Sequence, residues 1–262
     1  MMTFSVGAEA YDRFMGRYST PLAARFAEFA GVVGPQQVLD VGCGPGALTG
    51  ELASRLDPGC VSALDPSEPF AHAARARHPE VSVVRAAAEN LPFDAGRFDA
   101  ALAQLVVHFM ADPFAGVREM ARVVCEGGVV AACVWDHAGG RGPLSLFWQA
   151  ARALDRAVAD ESGLAGAREG HLGELFRAAG LHQVEQATLS VGIEHPSFDE
   201  WWGPFALGVG PAGAYVAGLD AERREALRER CRVMLPAPPF TSTVIAWAAR
   251  GIAGPPPAGG RQ

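Results

Sequence analysis

The chain has 262 residues, 49% of them hydrophobic, and a formal net charge of −7. That length suits one substantial α/β domain plus an insertion, and the acidic balance without any basic tract disfavours a nucleic acid partner, because the surface repels polyphosphate. All 22 basic residues are arginines. Schiff-base catalysis, pyridoxal phosphate attachment and a Walker A loop each need a lysine, so all three are excluded.

No run approaches the ~18–20 unbroken apolar residues of a membrane span, and MMTFSVGAEAYDRF lacks the basic start and apolar block of a signal peptide. A cytoplasmic protein without a membrane span is expected. Cys43, Cys60, Cys125, Cys133 and Cys231 are odd in number and include no C-x-x-C pair, so they read as reduced thiols, with neither a disulfide framework nor a metal site.

In chain order, AEAYDRFMGRYS and PLAARFAEFAG read as helical, with Pro21 placed to start a helix and Leu22, Phe26 and Phe29 on one face. Residues 38–49, VLDVGCGPGALT, then join a buried parallel strand to a helix through a turn of glycines. Gly42, Gly44 and Gly46 permit a tight turn and close approach to a ligand. The same letters also satisfy the dinucleotide fingerprint if Ala47 takes its last position. Asp40 and Pro45 point elsewhere: a carboxylate at the strand end repels a pyrophosphate and attracts an ammonium or sulfonium, and proline removes one N–H from an anion cradle. The implied ligand carries a positive charge and a nucleoside. CVSALD closes with Asp65, 25 positions after Asp40 and 19 after Gly46, which fits a helix over 47–56 and a return strand over 61–64.

This pattern resembles the class I S-adenosylmethionine-dependent methyltransferases. The resemblance implies a Rossmann-like fold in which Asp40, Gly42, Cys43 and Gly44 line the methionine moiety of S-adenosyl-L-methionine and Asp65, followed by Pro66, takes the ribose hydroxyls. YDRFMGRYS is similar to the N-terminal segment of the small-molecule (type 11) methyltransferases related to ubiquinone and menaquinone biosynthesis. By that likeness Tyr11, Arg17 and Tyr18 approach the cofactor carboxylate or close its pocket. PSEPFAHAARARH starts a helix with Ser67 as cap and Phe70 set to cover the adenine or enter the core. VSVVRA reads as a third strand. AAAENLPFD resembles the family's adenine-binding turn G-D-A-E-x-L-P-F at Ala88, Glu89, Leu91, Pro92 and Phe93. Ala87 replaces the family's aspartate, which leaves the adenine amino group to Glu89, a backbone carbonyl or water.

Residues 98–103 form a fourth strand that ends at Gln104 and Leu105, where the family's cofactor and substrate meet. The prolines and aromatic of amino-methylating nucleic acid enzymes are absent there. Asp112 with Pro113 starts a helix, and a Gly127 Gly128 turn leads into a fifth strand through Trp135. LSLFWQAARALDRAV reads as an amphipathic helix, and the segment from Glu169 as a helix, a Gly180 cap and a strand. TSTVIAWAAR completes the sheet. The expected architecture is α/β: a Rossmann-like, seven-stranded, mostly parallel sheet with helices on both faces and a helical insertion before the last strand. Its parts are an N-terminal helical lid segment (1–34), the methyltransferase domain (35–193 and 241–251), the insertion or cap (194–240) and a disordered tail (252–262).

Methyl transfer from a sulfonium is an in-line displacement that needs positioning more than acid–base help. His108, just beyond the fourth strand, is the candidate base, with Asp136 and His137 behind it. Trp135, Trp201, Trp202 and Phe205 are candidates for an aromatic wall over a small-molecule acceptor. The expected assembly is a monomer or homodimer. Two other readings remain open: an NAD(P)-dependent oxidoreductase on the same crevice, and a non-catalytic module that holds the cofactor without turning it over.

Overall fold

Alternation of apolar residues with a period of two decides which side of the sheet each helix covers. In the computed structural model, which describes residues 8–255, strand β1 (Val38–Val41) sends Val38 to one face and Leu39 and Val41 to the other. Before it, α1 (Ala8–Tyr11), a π-helical turn (Asp12–Gly16) and α2 (Arg17–Ala30) follow one another without a break. Pro21 lies inside α2 and does not start it, a correction to the sequence reading. The helical course is already set by the preceding turn, so the helix carries the ring at the cost of the bond from its missing N–H and of crowding against the carbonyl four residues earlier.

The chain continues through α3 (Ala47–Arg55), β2 (Val61–Asp65), α4 (Glu68–Arg77), β3 (Ser82–Arg85) and β4 (Phe98–Gln104). It then forms α5 (Pro113–Val123), β5 (Val124–Trp135), α6 (Ser145–Leu154), α7 (His171–Ala178) and β6 (His182–His195). Helices α8 (Phe198–Trp202), α9 (Gly210–Gly218) and α10 (Ala221–Met234) precede the last strand, β7 (Phe240–Ile252). The seven strands form one sheet in the order β3-β2-β1-β4-β5-β7-β6. The first five are parallel neighbours, with Val38 opposite Val61 and Ala100, whereas β7 runs antiparallel to both β5 and β6. Strand order reverses between β1 and β4, and the crevice beyond their carboxyl ends is where such sheets bind ligands.

On one face, Leu22 and Phe26 of α2, Leu48 and Leu52 of α3 and Ala71 of α4 pack with Val38, Ala100 and Leu102. On the other, Val117 and Met120 of α5 and Leu172 and Phe176 of α7 pack with Leu39, Val41 and Ala101. The expected Gly127 Gly128 turn is a kink within β5: pairing with β4 jumps from Val124 to Val129, and Gly127 has a positive φ of 81°. Helix α6 stops at Leu154, short of the sequence reading, because Asp155 turns extended and its carboxylate accepts the Ala157 N–H. Ile252 is still paired in β7 and Ala253 is buried, so the order reaches past the expected start of the tail; residues 256–262 lie outside the described residues.

The insertion leaves and rejoins the sheet at one point, since His195 at the end of β6 pairs with Phe240 at the start of β7. Its core is a third apolar cluster, in which Phe147 and Trp148 of α6 meet Trp201, Trp202, Phe205, Leu227 and Cys231. Phe147 and Phe205 stack with centroids 4.6 Å apart.

Asp136, a secondary candidate in the sequence, is a structural acceptor. Fully buried, its carboxylate accepts from Gly139 N–H at 2.8 Å, Arg141 Nε at 2.6 Å and Trp247 Nε1 at 3.0 Å, tying the exit of β5 to β7. Asp136→Ala strands those donors and is expected to lower stability by about 3 kcal/mol. Urea unfolding reads this, and an unchanged midpoint would contradict the assigned role.

Candidate active site

A cavity of about 480 Å³ opens at the carboxyl ends of β1, β2 and β4. Its lining includes Tyr11, Asp40, Gly42, Cys43, Gly44, Asp65, Pro66, Phe70, Ala88, Glu89, Gln104 and Leu105, twelve of the residues that the sequence reading assigned to a cofactor. Arg17 and Tyr18 do not line it. Arg17 instead forms an ion pair with Glu200 of the insertion and lies 3.4 Å from His195 Nδ1, while Tyr18 is buried between Trp135 and His195. Arg17 fastens α2 to the insertion, and Tyr18 packs α2 against β5 and the end of β6.

The glycine turn uses its own amides. The N–H groups of Gly42 and Cys43 both donate to Leu64 O, at 2.8 and 2.9 Å, Gly44 N–H donates to Asp65 Oδ2 at 2.9 Å, and Gly46 N–H to Cys43 O at 3.0 Å. Pro45 has no N–H to give. Residues 42–46 therefore have no amide left over to cradle a phosphate. Gly42 sits at φ 72°, and a Cβ there would stand 2.3 Å from Val106 Cγ2, so only glycine fits.

Two buried carboxylates face this space. Asp65 accepts Gly44 N–H with one oxygen and Ser67 N–H with the other, at 2.8 Å, which fixes its orientation and leaves further lone pairs. Burial raises its pKa while those two donors pull it down. Asp40 is 1% exposed; its Oδ2 accepts from Thr49 Oγ1 at 2.7 Å, and its Oδ1 has no hydrogen-bond partner. Burial pushes the Asp40 carboxyl up to about 7, with Asp65 adding to the rise and Thr49 opposing it. Gln104 Nε2 donates to Ser19 O, yet Gln104 Oε1 and Ser19 Oγ are also buried without partners. Ser19, Asp40 and Gln104, on α2, β1 and β4, all line the same cavity. Three unmatched acceptors there call for a ligand with several donors and a positive charge.

Tyr11 meets Phe70 edge to face at 5.1 Å, which closes one wall. Arg77, paired with Asp12 and donating to Pro45 O, joins α4 to the π-helical turn and the glycine loop. At the adenine-type turn, Glu89 Oε1 accepts Ala111 N–H at 2.7 Å and Asp112 N–H at 3.3 Å. It thereby holds Phe109, Met110 and Ala111 as cavity lining that the sequence reading did not anticipate. Burial drives the Cys43 thiol well above its usual pKa, which disfavours the thiolate.

Leu105 turns the chain at φ 60°, a left-handed conformation costly for a leucine, and so leads β4 into the short turn bearing His108. There a smaller cavity of about 40 Å³ is lined by His108, His137, Glu161 and Trp135 and shares Tyr11, Leu105 and Phe109 with the larger one. Desolvation holds His108 well below its ordinary pKa, pulls His137 down to about 4 and raises Glu161 to about 6. Glu161 lies in a glycine-rich loop with no periodicity to flag it. Trp201, Trp202 and Phe205 line neither cavity; the expected aromatic wall is instead core, because α8 and the 3-10 turn that follows it (Gly203–Leu207) pack them against α6.

The sheet order, the glycine turn and the paired carboxylates define a class I methyltransferase fold. Residues 39–132 match the family described as "Methyltransferase domain". The chain is 40% identical over 113 residues to the malonyl-[acyl-carrier protein] O-methyltransferase of Salmonella typhimurium, covering 43% of this chain and 44% of that protein. To the aklanonic acid methyltransferase DauC of Streptomyces it is 28% identical over 134 residues, covering 49% of this chain and 61% of that one. The chain thus spans about half the length of the curated relatives it matches. The Haemonchus contortus phosphoethanolamine N-methyltransferase 2, solved in complex with S-adenosyl-L-methionine, shares the fold at a TM-score of 0.59 and 14% identity, over 95% of this chain and 57% of that chain.

Gly42→Ala is expected to cost about 2–4 kcal/mol, from the left-handed backbone and the clash with Val106. A thermal melt coinciding with that of the unaltered protein would show that the turn tolerates a side chain.

Proposed function

We propose that this chain transfers a methyl group from S-adenosyl-L-methionine to a small-molecule acceptor, as a protein of the cytoplasm. The observation that carries the reading is the set of unmatched acceptors on Ser19, Asp40 and Gln104, beside a glycine turn whose amides are already bonded. A methionine ammonium offers three N–H donors and a positive charge to those acceptors. A dinucleotide would bring a pyrophosphate to a loop with no N–H for it and to the carboxylates of Asp40, Asp65, Glu68 and Glu89, with Arg85 the one cationic lining residue among those described. The oxidoreductase reading is therefore not favoured.

S-adenosyl-L-methionine, when bound, supplies a methyl group already activated on a sulfonium. Asp40, Gln104 and Ser19 hold the amino-acid end, Asp65 accepts from the ribose hydroxyls, and the Ala87–Ala88–Glu89 turn with Phe109 and Met110 encloses the base. Tyr11 and Phe70 exclude water from that side. The acceptor enters where Tyr11, Leu105 and Phe109 border both cavities, which suits a largely apolar molecule presenting an oxygen. His108, neutral at physiological pH, stands there with Nδ1 unpartnered. The remainder of the insertion, taken as a cap, holds the N-terminal segment through Arg17 and Glu200.

Incubation with methyl-labelled S-adenosyl-L-methionine and a panel of phenols and carboxylic acids is expected to yield S-adenosylhomocysteine and a labelled product. Tight cofactor binding with no product from any acceptor would support the non-catalytic alternative.

Asp65→Ala is expected to weaken S-adenosylhomocysteine binding by about 1.5–3 kcal/mol, roughly 10- to 150-fold, through lost ribose hydrogen bonds. Calorimetry giving equal affinity would count against the ribose role.

Asp40 predicts a pH dependence. Its raised pKa means that the empty fold is stabilised by this group below the ordinary carboxylate range and loses that contribution as pH rises through about 7. An ammonium ligand reverses the preference, because it favours the ionised form. Affinity for S-adenosylhomocysteine should fall by up to about tenfold per pH unit below 7. Asp40→Asn should flatten that slope, and an equally steep slope in the variant would reassign the proton.

A further inference from the structure

The smaller cavity collects donor atoms that the fold leaves unused. His108 comes from the turn after β4, His137 from just beyond β5, and Glu161 from the loop between α6 and α7. Each offers one ligand atom, and the three atoms lie within 4.8 Å of one another. His108 Nδ1 and His137 Nε2 are shut off from solvent and have no hydrogen-bond partner. A histidine kept only for packing normally has its ring nitrogens satisfied. Here two rings from different loops, with centroids 5.6 Å apart, each leave one buried nitrogen unbonded. Glu161 is oriented from behind, its Oε2 accepting Trp148 Nε1–H at 3.1 Å. Such a hydrogen bond from outside the donor set is what fixes a metal-ligating carboxylate.

We propose that His108, His137 and Glu161 form a binding site for one divalent transition-metal ion of the zinc type. Two imidazole nitrogens and one carboxylate oxygen are the donor set of open, catalytic zinc sites, whereas calcium and magnesium require shells made largely of oxygen. Tetrahedral bonds of ~2.0–2.1 Å place donors about 3.3 Å apart, so side-chain rotation over roughly an ångström closes the site. The cavity's volume of about 40 Å³ has room for the ion and a water. Three protein ligands leave further coordination positions open, and the residues shared with the larger cavity make an acceptor oxygen the natural occupant. That last step rests on the methyl-transfer reading; the ion site does not. Sequence reading, which looked to the cysteines for a metal, had no signal joining residues 108, 137 and 161.

The test uses the full chain, freed of metal by a chelator, titrated with Zn²⁺ by calorimetry and with Co²⁺ by visible absorption. S-adenosylhomocysteine binding is measured on the same samples. The expected result is one ion per chain, cobalt bands of four- or five-coordination with no thiolate charge-transfer band, and affinity at least about tenfold weaker in Glu161→Gln and His137→Asn. Trp148→Phe should weaken binding about tenfold while keeping all three ligands. No stoichiometric ion, a thiolate band, or affinity untouched by Glu161→Gln would overturn the proposal. Should a variant fail to fold, the cobalt spectrum of the unaltered chain decides. Ion binding without S-adenosylhomocysteine binding upholds the site and sinks the donor reading, and the converse result does the reverse.

Discussion

The structure depends on a carboxylate buried at the end of a central strand with half of its hydrogen bonding unmet. Asp40 accepts from Thr49 through one oxygen only, and burial lifts its pKa to about 7. An isolated ionised carboxylate in such a place is costly, and the cost is offset only when a cation or donor arrives. The glycine turn beside it bonds its amides inward to Leu64, Asp65 and Cys43, which removes the alternative of an anionic guest. Together these choices make the crevice selective for charge before any shape is considered.

Around that crevice the fold closes from two directions. The helical segment from Ala8 to Ala30 supplies Tyr11 and Ser19 to the lining and is itself held by Arg77 with Asp12 and by Arg17 with Glu200. The insertion brings its own aromatic core, so it reaches the N-terminal segment as a packed body rather than as a loop. Where the two meet beneath Leu105, the three metal-type ligands converge. Under the proposed methyl-transfer reading, position and chemistry are thus separated: one end of the site fixes a donor, the other receives an acceptor.

Much of this was legible because it is local. VLDVGCGPGALT and the spacing to Asp65 specify a strand, a turn and a return strand within one βαβ unit, and Asp40, Gly42, Cys43, Gly44 and Asp65 all line the cavity, whereas Gly46 only shapes the turn. Ala87 to Phe93 was readable as a short linear motif for the same reason. Tyr11 could be placed but Arg17 and Tyr18 could not, since a π-helical turn rotates the face of the helix between them. Trp201, Trp202 and Phe205 carry the same apolar signal whether they line a pocket or fill a core, and only the position of α6 separates the two. Glu161 was invisible: its role depends on three loops that sequence spacing does not relate.

A crystal structure with S-adenosylhomocysteine bound tests the central claim most directly. The account predicts the ammonium within hydrogen-bond reach of Asp40, Gln104 and Ser19, and both ribose hydroxyls on Asp65. A ligand lying the other way round, or a pyrophosphate seated on residues 42–46, would contradict it.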